Sequence, residues 1–293
     1  MYYFATADNL LTNIKGHYYE WRFGNIYYEK QGKGTPILLI HDTAINSSSY
    51  EWNGIIKKLA ERNTVYTIDL LGCGRSDKPN LTYTNYLYVQ MISDFIKHIV
   101  GEKCDVIATG KSSSFTLMTC ANGEDMIKQV VLINPENILD LSKIPTKKTK
   151  TLRFIINIPI IGTLLYNLLN MRRTLEKTFR TNYFYSENKI KSQDIKIYYE
   201  SAYIKRFKSK YLFSSIIGRY TNVNILHGLS NINNSIFIIT GNNNPDNQTI
   251  AEQYKEYIPS IEIISLENAK YLPHLESPEI FLEQISFIFD SES

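Results

Sequence analysis

An α/β fold with a mostly parallel sheet covered by helices is the architecture this chain of 293 residues predicts, and three observations carry the prediction. Short apolar runs alternate with longer stretches of helical period, the pattern of strands joined by crossover helices. One of those junctions, Val106 to Phe115, reads as a buried strand that turns sharply into a helix at Gly110-Lys111-Ser112. Residues 137 to about 220 break the alternation with a purely helical, aromatic and basic stretch, as an insertion would.

The elements follow in order. Strand-like runs lie at His17 to Tyr28 (a hairpin around Gly24-Asn25), Pro36 to His41, Thr64 to Asp69, Asp105 to Thr109, Gln129 to Asn134, Ser235 to Thr240 and Ile261 to Leu266. Helical patterns lie at Tyr50 to Glu61, Tyr86 to Val100, Ser112 to Ala121, Asn222 to Leu229, Gln248 to Tyr257 and Pro278 to Ile288. The last has a defined start, with Ser277 as N-cap, Pro278 at the first helical position and Glu279 in the first turn. Phe154 to Met171 is the longest apolar stretch, but Asn157, Pro159, Gly162, Asn167 and Asn170 interrupt it. A helix pair broken near Pro159 and Gly162 is expected there rather than a transmembrane segment.

Charge divides the chain. Residues 137–220 hold 17 Lys and Arg against 5 Asp and Glu, so their net charge of +12 exceeds the +3 of the whole chain and leaves −9 for the rest. Such a body suits an acidic partner, an anionic substrate or an anionic lipid surface, or is a solvated lysine-rich surface. Cys73, Cys104 and Cys120 stand singly, without the spacing of a zinc site or a disulfide framework, so neither metal nor cofactor is expected. The N-terminal residues lack a basic start followed by an apolar run, which together with the isolated cysteines predicts a cytoplasmic protein. Gly110-Lys111-Ser112 also mimics the end of a phosphate-binding loop, but Asp105 stands where that loop needs a glycine. No nucleic-acid partner is expected.

Four segments in order resemble the α/β-hydrolase superfamily. They are Gly34 to Asp42, a strand leading to a His-Gly loop; Asp69 to Ser76 within Thr67 to Pro79, an Asp-x-x-Gly-x-Gly-x-Ser segment; Gly110 to Ser114, a nucleophile elbow; and Leu272 to Pro278 near the C-terminus. The resemblance implies the α/β-hydrolase fold, a mostly parallel sheet of about eight strands with flanking helices. The core domain would be 1–136 and 221–293, and 137–220 an inserted helical cap. It also implies Ser112 as nucleophile, with small residues Gly110 and Ser114 on either side, because the serine of an elbow sits in a strained turn. Oxyanion donors would be the Ser113 and Thr43 N–H groups.

The rest of that machinery departs from the pattern. A serine needs a base oriented by an acid, and the two positions that would supply them read Tyr271 and Asn244. The substitutes are His274, three residues after Tyr271, as base, with Glu136 or Asp246 as acid. Asp42 replaces the glycine after His41, which puts a carboxylate beside the oxyanion site; His41 matches the structural histidine of the family, and Lys111 adjoins the serine. Arg75 and Asp77 are expected to brace a turn, and His17, His98 and His227 to lie away from the site. Two functions remain open: a serine hydrolase acting on an ester, thioester or small acyl compound through Ser112, or a pseudo-hydrolase that binds a small ligand or a protein partner under the cap without turnover.

Overall fold

The computed structural model describes residues 10, 11, 13, 15–123 and 125–290. Eight strands form one sheet in the order β1-β2-β4-β3-β5-β6-β7-β8. They are β1 (His17–Trp21), β2 (Gly24–Gln31), β3 (Thr35–Ile40), β4 (Asn63–Ile68), β5 (Cys104–Thr109), β6 (Ile127–Ile133), β7 (Ser235–Gly241) and β8 (Glu262–Leu266). The β1-β2 hairpin and the β2-β4 pair are antiparallel, and every pair from β4 to β8 is parallel. β3 and β5 sit centrally and are buried along nearly their whole length, which is why Pro36 to Ile40 and Cys104 to Thr109 read as continuous rather than alternating apolar runs.

The flanking helices used below are α1 (Asn85–Phe95), α2 (Ser112–Ala121), α3 (Lys147–Asn157), α4 (Pro159–Leu169), α5 (Arg172–Thr178), α6 (Ser192–Tyr203), α7 (Lys210–Ile217), α8 (Pro245–Tyr257) and α9 (Pro278–Asp290). On one face of the sheet α1 and α2 cover Leu38, Val106, Val130 and Ile238. On the other, Phe281, Ile285 and Ile288 of α9 pack with Trp52 over Ile37, Ile107 and Val131.

The segment between β6 and β7 carries α3 to α7 and rests on loops at the carboxyl ends of the strands. Ser201 donates to the Ser47 carbonyl, Tyr50 to Asp194, and the Tyr185 and Ser186 N–H groups to the buried Glu276 carboxylate. A third apolar cluster, Phe179, Phe184, Ile195, Tyr198 and Leu272, joins the segment to the C-terminal loop.

Three elements differ from the sequence expectation. The hairpin turns at Arg22-Phe23, with Trp21 paired to Gly24, because the apolar Trp21 and Ile26 must both face the core. Tyr50 to Glu61 is not one helix but a 3-10 turn, Ser49–Trp52, and one helical turn, Ile56–Leu59. Only Leu226–Leu229 of Asn222 to Leu229 is helical. The break expected near Pro159 falls at Ile158, since Pro159 opens α4; Gly162 lies inside α4, where any side chain would strike the Ile156 carbonyl. Among the described residues no single helix is long and apolar enough to cross a membrane.

Candidate functional site

β5 ends at Thr109, paired with Ile133, and α2 begins at Ser112. The residue between them with a left-handed backbone is Gly110, at φ +56°. Lys111 is already helical, at φ −61° and ψ −31°, and Ser112 lies inside the first turn of α2. The strained position of the strand-to-helix turn is therefore Gly110, and the motif runs Ala108-x-Gly110-x-Ser112, two residues earlier than the sequence placed it. This corrects the register of the elbow and moves Ser112 to the position of its small trailing residue.

Ser112 is fully buried. Its hydroxyl donates to the His41 carbonyl at 2.7 Å and shares a 2.8 Å hydrogen bond with the Thr43 hydroxyl. Both contacts tie α2 to the loop after β3. The Ser113 N–H donates to the Gly110 carbonyl at 3.2 Å, as a helical first turn requires, so it is not aimed at a reacting oxygen. Ser114 returns its hydroxyl to the Lys111 carbonyl. His41 accepts the Leu70 N–H on Nε2 and donates from Nδ1 to the Asp42 carbonyl, an arrangement that needs a neutral ring; burial also lowers its pKa.

The backbone donor that follows the strained residue is the Lys111 N–H, and Asp42 occupies it. Asp42 Oδ1 accepts that N–H at 3.0 Å, and Oδ2 accepts the Tyr271 hydroxyl at 2.9 Å. A carboxylate thus fills the seat in which an elbow receives a developing oxyanion. A Cβ at Gly110 would stand 2.5 Å from Asp42 Oδ1 and inside the contact radius of the Tyr271 hydroxyl, so Tyr271 takes the space a nucleophilic side chain needs. Tyr271 is held in turn by stacking on Tyr183, centroids 5.4 Å apart, and by Asn134, whose amide donates to the Lys270 and Tyr271 carbonyls.

The remaining predicted residues are dispersed. Lys111 is buried and turns its ammonium to Glu136 Oε2 at 2.9 Å and Asn222 Oδ1 at 3.0 Å, so the carboxylate expected as an acid is paired with a lysine instead. Asn244 caps α8 by accepting the Asp246 N–H, and Asp246 itself is exposed in the first turn of that helix. His274 is fully buried, stacked on Trp52 at 4.5 Å with Nε2 3.2 Å from the equally buried Glu51 carboxylate. Neither of its ring nitrogens is a partner of Ser112. The expectation of His274 as base and Glu136 or Asp246 as acid does not fit this packing, because each group is committed or placed elsewhere. Asp77 accepts the Asn25 N–H at 2.8 Å and bonds Lys205, and Arg75 joins Asp69, so both brace the turn as expected.

Two clefts meet at Tyr271 and Asn244. One, of about 530 Å³, lies between Thr178, Thr181 and Tyr183 of the segment joining β6 to β7 and Asp42, Asn243 and Lys270. The other, of about 510 Å³, opens beside Lys111, Glu136 and Asn222.

Burial pushes the Asp42 carboxyl up to about 7, with the Glu136 and Glu51 carboxylates adding to the effect, and it raises the Tyr271 hydroxyl well above the ordinary tyrosine range. Tyr271 therefore stays protonated and Asp42 titrates near neutrality. The unfolded carboxyl releases its proton near 3.8, so between there and pH 7 the folded state binds more protons and stability falls as pH rises. Asp42→Asn removes this titration. Relative to the unmodified chain it gains roughly 2 kcal/mol at pH 8, solvent screening at the half-buried carboxylate moderating the effect, and little or nothing at pH 4. Urea melts of both proteins at the two pH values measure the difference; parallel pH dependences would refute it.

Comparison with known proteins agrees with this architecture. The model of the alpha/beta hydrolase family matches residues 37–284. A soluble epoxide hydrolase from a Corynebacterium species is 27% identical over 109 residues, 37% of each chain, and an uncharacterized protein from Mycobacterium bovis is 31% identical over 103 residues, 35% of this chain and 30% of that one. The matched region thus spans about a third of those curated relatives. Among solved structures, the serine hydrolase of carbazole degradation (CarC) superposes with a TM-score of 0.76 at 17% identity, covering 94% of this chain and 98% of that one. The Cif epoxide hydrolase of Acinetobacter nosocomialis superposes with a TM-score of 0.75 at 16% identity, covering 93% and 88%. With eight strands in this order, a sharp strand-to-helix turn after β5 and a family match over most of its length, the chain belongs to the alpha/beta hydrolase family.

Proposed function

We propose that this chain is a non-hydrolytic member of its family that binds a small polar ligand in the cleft between the inserted helical segment and the core. One observation carries the reading: the Asp42 carboxylate bridges the Lys111 N–H and the Tyr271 hydroxyl, beside a glycine at the strained turn. Acyl transfer and epoxide or halide displacement alike need a nucleophile on that turn and stabilisation of the negative charge that develops. Here the turn has no side chain, and an ionised Asp42 repels developing negative charge. Ser112, the other candidate, is sealed by the His41 carbonyl and Thr43, and its hydroxyl bonds no base among the described residues. Relatives named as epoxide hydrolase and haloalkane dehalogenase support a hydrolytic ancestry; the rebuilt site favours binding.

Within the cleft, Asp42, Asn243, Asn244 and Tyr271 offer acceptors and amides that suit a ligand rich in hydrogen-bond donors. A fluorophosphonate probe tests the reading. No labelling of the purified chain is expected between pH 6 and 9, with Ser112→Ala indistinguishable from it. Labelling that disappears in Ser112→Ala would establish a live serine and overturn the proposal. A combined Gly110→Ser, Asp42→Gly, Tyr271→His and Asn244→Asp variant supplies the missing parts and is expected to label at least about tenfold faster.

A further inference from the structure

The strongest feature outside the site is the solvent face of α3 and α4. A surface helix normally turns its apolar stripe inward, and α4 does the reverse. Ile160, Ile161, Leu164 and Leu168 recur at one-turn spacing on its outer face, the first 75% exposed and the last two 63% and 60%. Beneath them Gly162 and Tyr166 are buried, and Lys210 reaches the Thr163 hydroxyl. α3 adds Phe154, 69% exposed, and Leu152. The two helices meet at 102°, in a corner closed by the approach of Gly162 to the Ile156 carbonyl. An apolar face of this extent on a well-packed segment marks an interaction site.

The charges around it select the occupant. Lys147, Lys148 and Lys150 are exposed on the first turn of α3, and Arg172 and Arg173 on the first turn of α5, just beyond the end of α4. The occupant must therefore be apolar opposite the helices and anionic around them. A second copy of the chain would bring two segments of net charge +12 together, which repel. Each helix has 11 residues, too few to span a bilayer, and the sharp bend keeps the pair in one plane. We infer that α3 and α4 lie in the headgroup region of an anionic lipid bilayer, Ile160, Ile161, Leu164, Leu168 and Phe154 entering the acyl boundary and the lysine and arginine clusters pairing with lipid phosphates.

Vesicle flotation with the full chain tests this. Flotation with phosphatidylcholine–phosphatidylglycerol vesicles, much reduced with phosphatidylcholine alone, is expected. Changing Ile161, Leu164 and Leu168 together to aspartate is expected to lower the bound fraction about tenfold without altering the melting temperature, since all three side chains are exposed. Changing Lys147, Lys148, Lys150 and Arg173 to glutamate is expected to abolish the preference for phosphatidylglycerol. Absence of flotation, equal flotation of the aspartate variant, or a dimer in solution that this variant splits into monomers would overturn the inference.

Discussion

Gly110→Ala is expected to destabilise the fold by roughly 3 kcal/mol, although it adds a single methyl group. Two effects add. A residue with a Cβ at φ +56° costs about 1–2 kcal/mol in the left-handed region. The methyl also collides with the Tyr271 hydroxyl and Asp42 Oδ1, and overpacking of this kind costs about 1–3 kcal/mol. The second effect can be isolated, because the Tyr271 hydroxyl is the closest atom. In a Tyr271→Phe background the penalty of Gly110→Ala is expected to shrink by about 1 kcal/mol while the backbone part remains. Urea unfolding of the four proteins gives the coupling. Equal penalties in both backgrounds would mean that Tyr271 does not fill the space of a nucleophile. The same geometry explains why Gly110→Ser alone is not expected to create an enzyme: its hydroxyl would have nowhere to stand until Tyr271 and Asp42 gave way.

Much of this was legible in the sequence. The apolar runs at Pro36 to His41 and Asp105 to Thr109 marked the central strands, because a strand buried on both faces has no polar alternation to confuse with a loop. The sequence puts Tyr271 where a histidine base is expected, and in the fold its hydroxyl lies against Gly110. The register of the turn was not legible, because two frames satisfy the rule of small flanking residues: Gly110 and Ser114 around Ser112, or Ala108 and Ser112 around Gly110. Chemistry favoured the frame with a serine. The end of β5 decides between them, and that end is set by pairing of Thr109 with Ile133 and of Ala108 with Ile40, contacts no local window contains. Asp42 likewise could be flagged as an unhelpful charge, but its partners lie 69 and 229 residues away in sequence. Glu51, the buried partner of His274, carried no signal at all, since it sits in a stretch whose pattern reads as an ordinary surface helix.

Asp69→Asn is expected to be the most damaging single change in the loop after β4, costing about 3–5 kcal/mol. Asp69 is fully buried and accepts four hydrogen bonds within normal reach: the Ser49 N–H at 2.7 Å, the Arg75 N–H at 2.7 Å, and Arg75 Nε and Nη2 at 2.8 and 3.3 Å. Burial alone would raise this carboxyl, but the adjoining Arg75 guanidinium and these donors hold it well below the usual carboxylate range. Arg75 is itself buried, laid over the Tyr27 ring at 3.7 Å, with Glu29 as its other acid at 3.1 Å. An amide at position 69 leaves that guanidinium without its main counter-charge. It also turns one acceptor into a donor facing other donors. The pH signature separates this from a general loss of packing. Because the folded pKa is depressed, the stabilisation from Asp69 is complete above the unfolded value of about 3.8 and is lost as pH falls through the lower folded value. The unmodified chain should therefore weaken steeply below about pH 4, whereas Asp69→Asn should start weaker and decline less over the same window. Acid unfolding curves of equal steepness would show that the charge of Asp69 is not what holds the loop beneath the site.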